Sequence, residues 1–576
     1  MNRRTKYLNT ISWMSACCSP SPRPSPQGRG RIAFSLTQQL ATRFQSRLCK
    51  LSRRKSATVF LRRATEPLQT SARCSLSPGE RVRVRGNGAS FRQVALKFLA
   101  IIILSVLAGC ATYKPKPISP GDNAAQLEAR RLDDAGLKNF LEQNSGGELK
   151  NWPLKSWDLD SLTLAAFYFQ PNLAVARAQW REAAGGIKTA AGRPNPTVTV
   201  GPGYNFSALD GVNPWSPFGS IDVPIETAGK RGKRISQAEH LAESARQNYF
   251  SAAWQSRANV RAGLVEFIVA RERAARVEEQ FSAQQEISSR LEQRLAVGAI
   301  SRADVTVSRV ALAKAQIDLS DAQAKRAAAR VNLAQAVGVP VAAFGVPPSG
   351  GNTPPTRPPE GGTPNLVFDL ARPAMSDLTS ADARRVALCG RADVRAALAD
   401  YAAAEDSLRL EIAKQYPDLH LNPGYQFDQG DHKWTLGFTF ELPVLNQNQG
   451  PIREADARRE TAAAKFTALQ AQVIGEIDRA LDDYQAARGQ MKTSAELFAA
   501  AQKQQQSARD GLKAGATDKV DVLNAQIEFA AAALARLDAQ SRLQSAIGAL
   551  ENALQRPLAG DILSAGKFPT DKELKK

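Results

Sequence analysis

The side chains best suited to metal binding or nucleophilic chemistry are few: three histidines and six cysteines in 576 residues. His240, His420 and His432 show no HExxH or paired-ligand spacing, so no metal site is expected. Cys17, Cys18, Cys49 and Cys74 crowd the first segment and leave Cys110 and Cys389, with no CxxC pair and no disulfide framework. Cys389 is expected to be packed and inert. There is no phosphate loop, nucleophile elbow or paired-acid motif, so the sequence does not read as an enzyme and no cofactor is expected. Two positions stand out. Cys110 follows an apolar run and three small or apolar residues, where its thiol would be open to modification. Asp521 lies in "AGATDKVDVLNAQ", where a carboxylate suits the first turn of a helix.

Residues 91–109 carry Arg92 and Lys97 ahead of an apolar run from Phe98 to Leu107. That run is shorter than the ~18 residues a spanning helix needs, and it reads as a secretory signal. Its ending, Leu107-Ala108-Gly109-Cys110, resembles the lipobox of bacterial lipoproteins. The resemblance implies a covalent lipid, palmitate included, on Cys110 as the mature N-terminus. Ala111 in the next position is similar to the outer-membrane-destined class. Residues 1–90 form a basic, low-complexity leader without apolar periodicity; we expect it to be an over-extended reading frame and exclude it from the fold argument.

The chain has 76 Lys+Arg and 55 Asp+Glu, a formal charge of +21. Twenty of the basic and two of the acidic residues precede Cys110, which leaves 56 against 53 in the body. The body is nearly neutral, and a nucleic-acid partner is not expected.

The body repeats itself. "PTVTVGPGYNF" (196–206) aligns with "PDLHLNPGYQF" (417–427), and Pro224, Gly298, Asp304 and Pro340 find counterparts in Pro443, Gly515, Asp521 and Pro557. The sequence therefore divides into an N-terminal segment (110–155), repeat 1 (156–340), a Pro/Gly-rich linker (341–380), repeat 2 (381–557) and a tail (558–576). Residues 225–339 and 452–556 contain no proline and are rich in Ala, Gln, Glu, Arg and Leu. Leu264, Phe267, Ala270, Ala274, Val277 and Phe281 recur at three- and four-residue steps, a coiled-coil-like seam. A helix from about Gly229 to Val297 would be ~100 Å long. Each repeat is expected to run helix, strand, strand, long helix, turn, shorter helix.

Each repeat offers two strand candidates. Val198, Val200, Pro202, Tyr204 and Phe206 alternate with polar or small residues, as do Leu419, Leu421, Pro423, Tyr425 and Phe427. Trp434, Leu436, Phe438, Phe440 and Leu442 form a third row, and Phe218, Ile221 and Val223 a weaker fourth. Soluble half-buried strands alternate in the same way, but the strand lengths and the terminal aromatics suit a membrane barrel. Four strands cannot close a barrel, and lipid does not tolerate open edges, so several subunits would have to share one. The basic run "GKRGKR" (229–234), just past a strand, is expected to reach lipid phosphates.

Signal, duplicated unit, strand pairs, proline-free helices and the VGA and AGA turns together resemble the TolC family of bacterial outer-membrane efflux ducts, over about residues 110–560. The resemblance implies a mainly α fold with a small β part, an α-barrel continued by a β-barrel. It implies a homotrimer with twelve shared strands and a passive duct serving an adaptor and an inner-membrane pump that is proton-driven. It implies an outer-membrane location with a lipid anchor and export of drugs or metal ions. It places the lipid-facing residues at Val198, Val200, Tyr204, Phe206, Leu419, Leu421, Tyr425, Phe427, Trp434, Leu436, Phe438 and Phe440. It places adaptor-contact tips at Val297, Gly298, Ala514 and Gly515, and a periplasmic gate at Asp521, Asn524, Leu512 and Thr517. Asn524 departs from the usual second Asp, and Leu512 and Thr517 replace a locking Tyr and Arg, so no polar lock of that kind is expected. A coiled-coil scaffold without a pore, or a protein-secretion duct, would share much of this pattern.

Overall fold

A computed structural model of the chain describes residues 113–145, 149, 151–209, 211–344, 365–368 and 380–558. The leader, the signal segment, Cys110 and the tail beyond 558 lie outside these residues. The elements below belong to one unit that begins at Ser119.

Two short helices, α1 (Pro120–Glu128) and α2 (Ala135–Ser145), precede the first repeat, which opens on a two-residue strand β1 (Ser156–Trp157). That repeat then runs α3 (Leu159–Phe169), α4 (Pro171–Ala190), β2 (Thr197–Gly201), β3 (Phe218–Ile225), α5 (Lys230–Ala296) and α6 (Arg302–Val337). Strand β4 (Asn365–Leu366) follows, and the second repeat runs α7 (Ser380–Gly390), α8 (Ala392–Ala413), β5 (Leu419–Asp428), β6 (Asp431–Thr439), α9 (Gln449–Lys513) and α10 (Lys519–Leu554). The order expected from the sequence appears twice. None of the described helices is long and apolar enough to cross a membrane.

Helices α5 and α9 hold 67 and 65 residues, about 100 Å each at 1.5 Å per residue. Both start from a residue in the left-handed region, Gly229 (φ 68) and Asn448 (φ 60). Pro451 falls in the first turn of α9, where a missing N–H costs no helical hydrogen bond. In the seam on α5, Leu264, Ala270, Ala274 and Val277 are buried, while Phe267 and Phe281 are half-buried. Gly263 lets α6 come close: a Cβ there would lie 3.2 Å from the Cα of Leu333.

The main core gathers where the first repeat's shorter helices meet α5 and α6, around Leu137, Trp157, Leu162, Val260, Leu264, Leu333 and Val337. The second repeat builds a smaller one around Val473, Ile477 and Leu550. Among the described residues, α2 and β1 add their side chains to the first core. The linker also contributes: β4 pairs in parallel with β1, and Leu366 is buried. Proline and glycine content alone predicts only a loop there.

Arginines tie off the helix ends. Arg130 Nη1 donates to the carbonyls of Phe169 (2.6 Å) and Gly338 (2.9 Å), at the C-termini of α3 and α6. Arg391 does the same in the second repeat, donating to the Ala553 carbonyl at 2.9 Å while holding Asp393 and Glu476. Cations at helix C-termini satisfy orphan carbonyls and oppose the negative end of the dipole. Gly338 itself has φ +85, and a Cβ would sit 3.2 Å from the Phe169 backbone. Gly338→Ala is expected to cost about 1–2 kcal/mol, visible as a lowered unfolding midpoint.

A desolvated polar hub joins the repeats. Glu551 on α10 accepts from Arg257 Nη1 at 3.0 Å and lies 3.3 Å from Arg261 Nε, both on α5. All three side chains are at most 7% exposed. Arg261 also donates to the carbonyl (2.6 Å) and side-chain oxygen (3.0 Å) of Gln544. Gly548 makes room for this guanidinium: a Cβ would lie 2.5 Å from Arg261 Nη1.

Candidate functional site

Two regions carry the features singled out above: the four-stranded sheet and the paired helix tips.

The sheet has the order β2-β3-β5-β6, all antiparallel, so the strand pair of the first repeat joins that of the second through β3 and β5 in one surface. Side chains two apart share a face. Register places Val198 beside Ile221, Val223 beside Leu421 and then Phe438, Pro423 beside Leu436, and Tyr425 beside Trp434. This apolar face is uncovered: Val200 is 76% exposed, Trp434 80% and Phe438 60%. Thr197, Thr199, Ser220, Asp222, His420, Asn422, Gln426, Thr435 and Thr439 line the other face. The ladder between β3 and β5 is interrupted opposite Pro423, which has no N–H to give.

Three expectations about the strands are corrected. Regular pairing of β2 stops at Gly201, before Pro202, so Tyr204 and Phe206 lie outside the strand. Tyr204 forms an isolated bridge with Trp215 and packs edge-on to Phe206 and Trp215. Strand β6 ends at Thr439, so Phe440 follows it, still exposed. Phe218 falls on the polar face, because an even-numbered residue cannot share a face with Ile221 and Val223; its ring lies over Gly201, which has no side chain to block it.

The basic run at the start of α5 also reads differently. Lys230 is buried against Asp418 at 2.9 Å, Arg231 donates to the Ala191 carbonyl at 2.8 Å, and Lys233 to that of Ala228 at 2.7 Å. Arg234 pairs with Glu226. All four cations bind protein acceptors and fix the junction between sheet and helices. Asp418 is held below the usual carboxylate range: its desolvation is outweighed by Lys230 and by the Thr227 backbone. Cys389 is exposed near the C-terminal end of α7, where packing had been expected.

The opposite ends of α5 and α9 turn into α6 and α10 by one shared design. Gly298 (φ 77) and Gly515 (φ 72) adopt the left-handed conformation. The N–H of Ala299 bonds the Arg294 carbonyl at 2.9 Å, and that of Ala516 the Gly511 carbonyl at 2.8 Å. A glycine just past the helix is what such caps favour. Val297 is 80% exposed, and Ala514 is exposed in the matching position.

Each following helix opens with a capping box, Ser301 with Asp304 and Asp518 with Asp521. The Asp521 carboxylate accepts from the Asp518 N–H at 3.1 Å and remains exposed, as does Asn524. The carboxylate thus starts the helix while staying open to solvent. Leu512 is half-buried, and Thr517 donates to the Ala508 carbonyl at 3.1 Å, packed over Gly511.

Beside an apolar cluster of Ile287, Leu291, Val520 and Leu523, an ion pair joins the two tips: Arg294 near the end of α5 pairs with Asp518 at the start of α10. The guanidinium holds the Asp518 carboxyl below the usual carboxylate range. Neither residue had been singled out from the sequence. The signal was present, since Asp518 occupies the capping position opposite Ser301 and adds a charge that serine lacks.

The pattern that defines the family described as "Outer membrane efflux protein" matches residues 169–339 and 383–555. The cobalt-zinc-cadmium resistance protein CzcC of Cupriavidus metallidurans is 24% identical over 361 residues, 62% of this chain and 79% of that protein. Among solved structures, the outer membrane protein VceC of Vibrio cholerae superposes with a TM-score of 0.55 at 20% identity, over 69% of this chain and 96% of its own. The Campylobacter jejuni CmeC outer membrane channel gives 0.56 at 14% identity, over 79% and 98%. CusC, whose structures describe transmembrane channel formation, gives 0.53 at 18%, over 71% and 94%. Both repeats carry the family pattern, and the chain belongs to the outer membrane efflux protein family.

Proposed function

We propose that three copies of this chain share one β-barrel and one helical tunnel, forming the passive exit duct of a tripartite efflux system. The observation that carries this reading is the sheet: one face apolar and uncovered, the other polar, with β2 and β6 as open edges. In lipid, open edges leave unpaired backbone groups, and pairing β6 of one copy with β2 of the next removes them. Three copies give twelve strands around a water-filled lumen. The long helices extend the path into the periplasm, where the tips at Val297, Gly298, Ala514 and Gly515 meet an adaptor. An inner-membrane pump, proton-driven in this reading, supplies the energy. A lipid on Cys110 adds an anchor.

The cargo we propose is small toxic solutes, metal ions or drugs. The resemblance to a cobalt-zinc-cadmium resistance protein supports the metal side. Susceptibility of a deletion strain to cobalt, zinc and cadmium, set beside its susceptibility to antibiotics, separates the two. The assembly is tested by native mass in detergent: a mass of three chains supports it, and a monomer overturns it.

Leu436, in the middle of β6, separates the duct from a poreless scaffold. Placing a cation on the lipid face near mid-membrane costs about 2–4 kcal/mol. Leu436→Arg is therefore expected to cut the amount of protein recovered in the outer membrane severalfold. On a solvated periplasmic sheet the same exposed position would accept arginine with normal yield.

A further inference from the structure

On the polar face of the sheet a histidine and a carboxylate meet across the junction of the two repeats, beside the interruption in the β3–β5 ladder. His420 on β5, from the second repeat, places Nδ1 at 3.0 and 3.1 Å from the two carboxylate oxygens of Asp222 on β3, from the first. An ionised carboxylate only accepts, so Nδ1 must carry the proton and donate it. In the neutral imidazole the lone pair then resides on Nε2. No described residue bonds Nε2, and the imidazole is 39% exposed.

A histidine whose one nitrogen is bonded to a carboxylate, with the other free in a polar setting, is the arrangement that orients imidazole toward a metal and raises its basicity. The surroundings suit a hydrated cation. Thr439 stands opposite His420 and accepts from Asn422 Nδ2 at 3.0 Å, and Thr197 pairs with Asp222. Lys230, near the foot of β5, is held by Asp418 and buried. The neutral imidazole and its carboxylate carry −1 together.

We propose that His420 and Asp222 form a low-affinity site for divalent transition-metal cations on the water-facing side of the barrel. His420 Nε2 is the ligand, and Asp222 orients it and offsets the metal's charge. Imidazole suits zinc, cobalt and nickel over magnesium or calcium. One protein ligand per copy, the rest of the shell being water, gives the weak binding that a conduit needs for cargo to enter and leave. The inference rests on the duct reading, and it deepens that reading toward metal cargo.

The test uses the purified full chain in planar bilayers, under a potassium chloride gradient with zinc chloride added. Binding of a divalent cation changes each site from −1 to +1, so the reversal potential is expected to move toward anion selectivity as zinc rises. His420→Ala abolishes the shift, and His420→Gln gives the same answer should the alanine variant fail to insert. Asp222→Asn raises the half-effective zinc concentration about 10- to 100-fold. His240→Ala leaves it unchanged. Channels whose reversal potential ignores zinc, or whose zinc shift survives in both His420 variants, overturn the site and leave the duct standing. An unchanged zinc dependence in Asp222→Asn overturns the orienting role. A wild-type protein that forms no channels overturns the duct and the site together.

Discussion

Glu551→Ala is expected to lower the unfolding free energy by roughly 3–5 kcal/mol, because it removes one partner of a buried ion cluster. The carboxylate is 6% exposed and lies between Arg257 and Arg261, themselves almost fully buried. Without it, two desolvated cations lose the counter-charge they share. Arg261 keeps its bonds to Gln544, so part of the local geometry survives while the electrostatic loss remains. Glu551→Gln, which keeps an acceptor oxygen but not the charge, should fall between the variant and wild type. The control is Arg458→Ala at the exposed pair with Glu454, where about 0–1 kcal/mol is at stake. Urea unfolding followed by helical circular dichroism makes the comparison. A Glu551→Ala protein within 1 kcal/mol of wild type would show that α5 and α10 do not depend on this cluster.

Asp518→Asn is expected to loosen the tip without uncapping α10. Asparagine caps a helix about as well as aspartate, so the substitution removes the ionic part of the link to Arg294 and little else. If the duct is closed by holding its two hairpins together, single-channel conductance should rise severalfold in Asp518→Asn and in Arg294→Ala. Ser301→Ala, which loses a cap worth about 1 kcal/mol in the other hairpin, should leave conductance unchanged. The pH dependence has a definite sign. Arg294 lowers the carboxyl's pKa in the folded protein, so the link contributes fully above the unfolded value of about 3.9 and is lost as pH falls through the depressed one. The wild-type tip should therefore open in strong acid and stay closed at neutral pH. Asp518→Asn should be open at both.

The duplicated strand–strand–helix–turn–helix unit could be read from the sequence because its signals are local. Alternation over "PDLHLNPGYQF" needs no knowledge of the partner strand, and a proline-free run broken at Gly298 marks a helix and its end. Parity misled only at Phe218, where an aromatic side chain invited grouping with Ile221 and Val223 although its position put it on the opposite face. What escaped was non-local. Arg257, Arg261 and Glu551 look like ordinary solvated charges on long helices until α5 and α10 are brought together across nearly 300 residues. The same holds for Arg294 and Asp518, and for the run from Lys230 to Arg234, whose acceptors are backbone carbonyls and acids contributed by several segments. Sequence shows a charge, but its partner depends on packing.

In the reading proposed above, three copies of this chain enclose a water-filled path through the outer membrane. Its most direct test is the current carried by purified full-length protein in a planar lipid bilayer under applied voltage. Discrete, uniform conductance steps are expected from inserted assemblies. Protein that inserts into the bilayer yet never passes ions across repeated trials would contradict it, and would leave the amphipathic sheet as a membrane anchor for a helical scaffold.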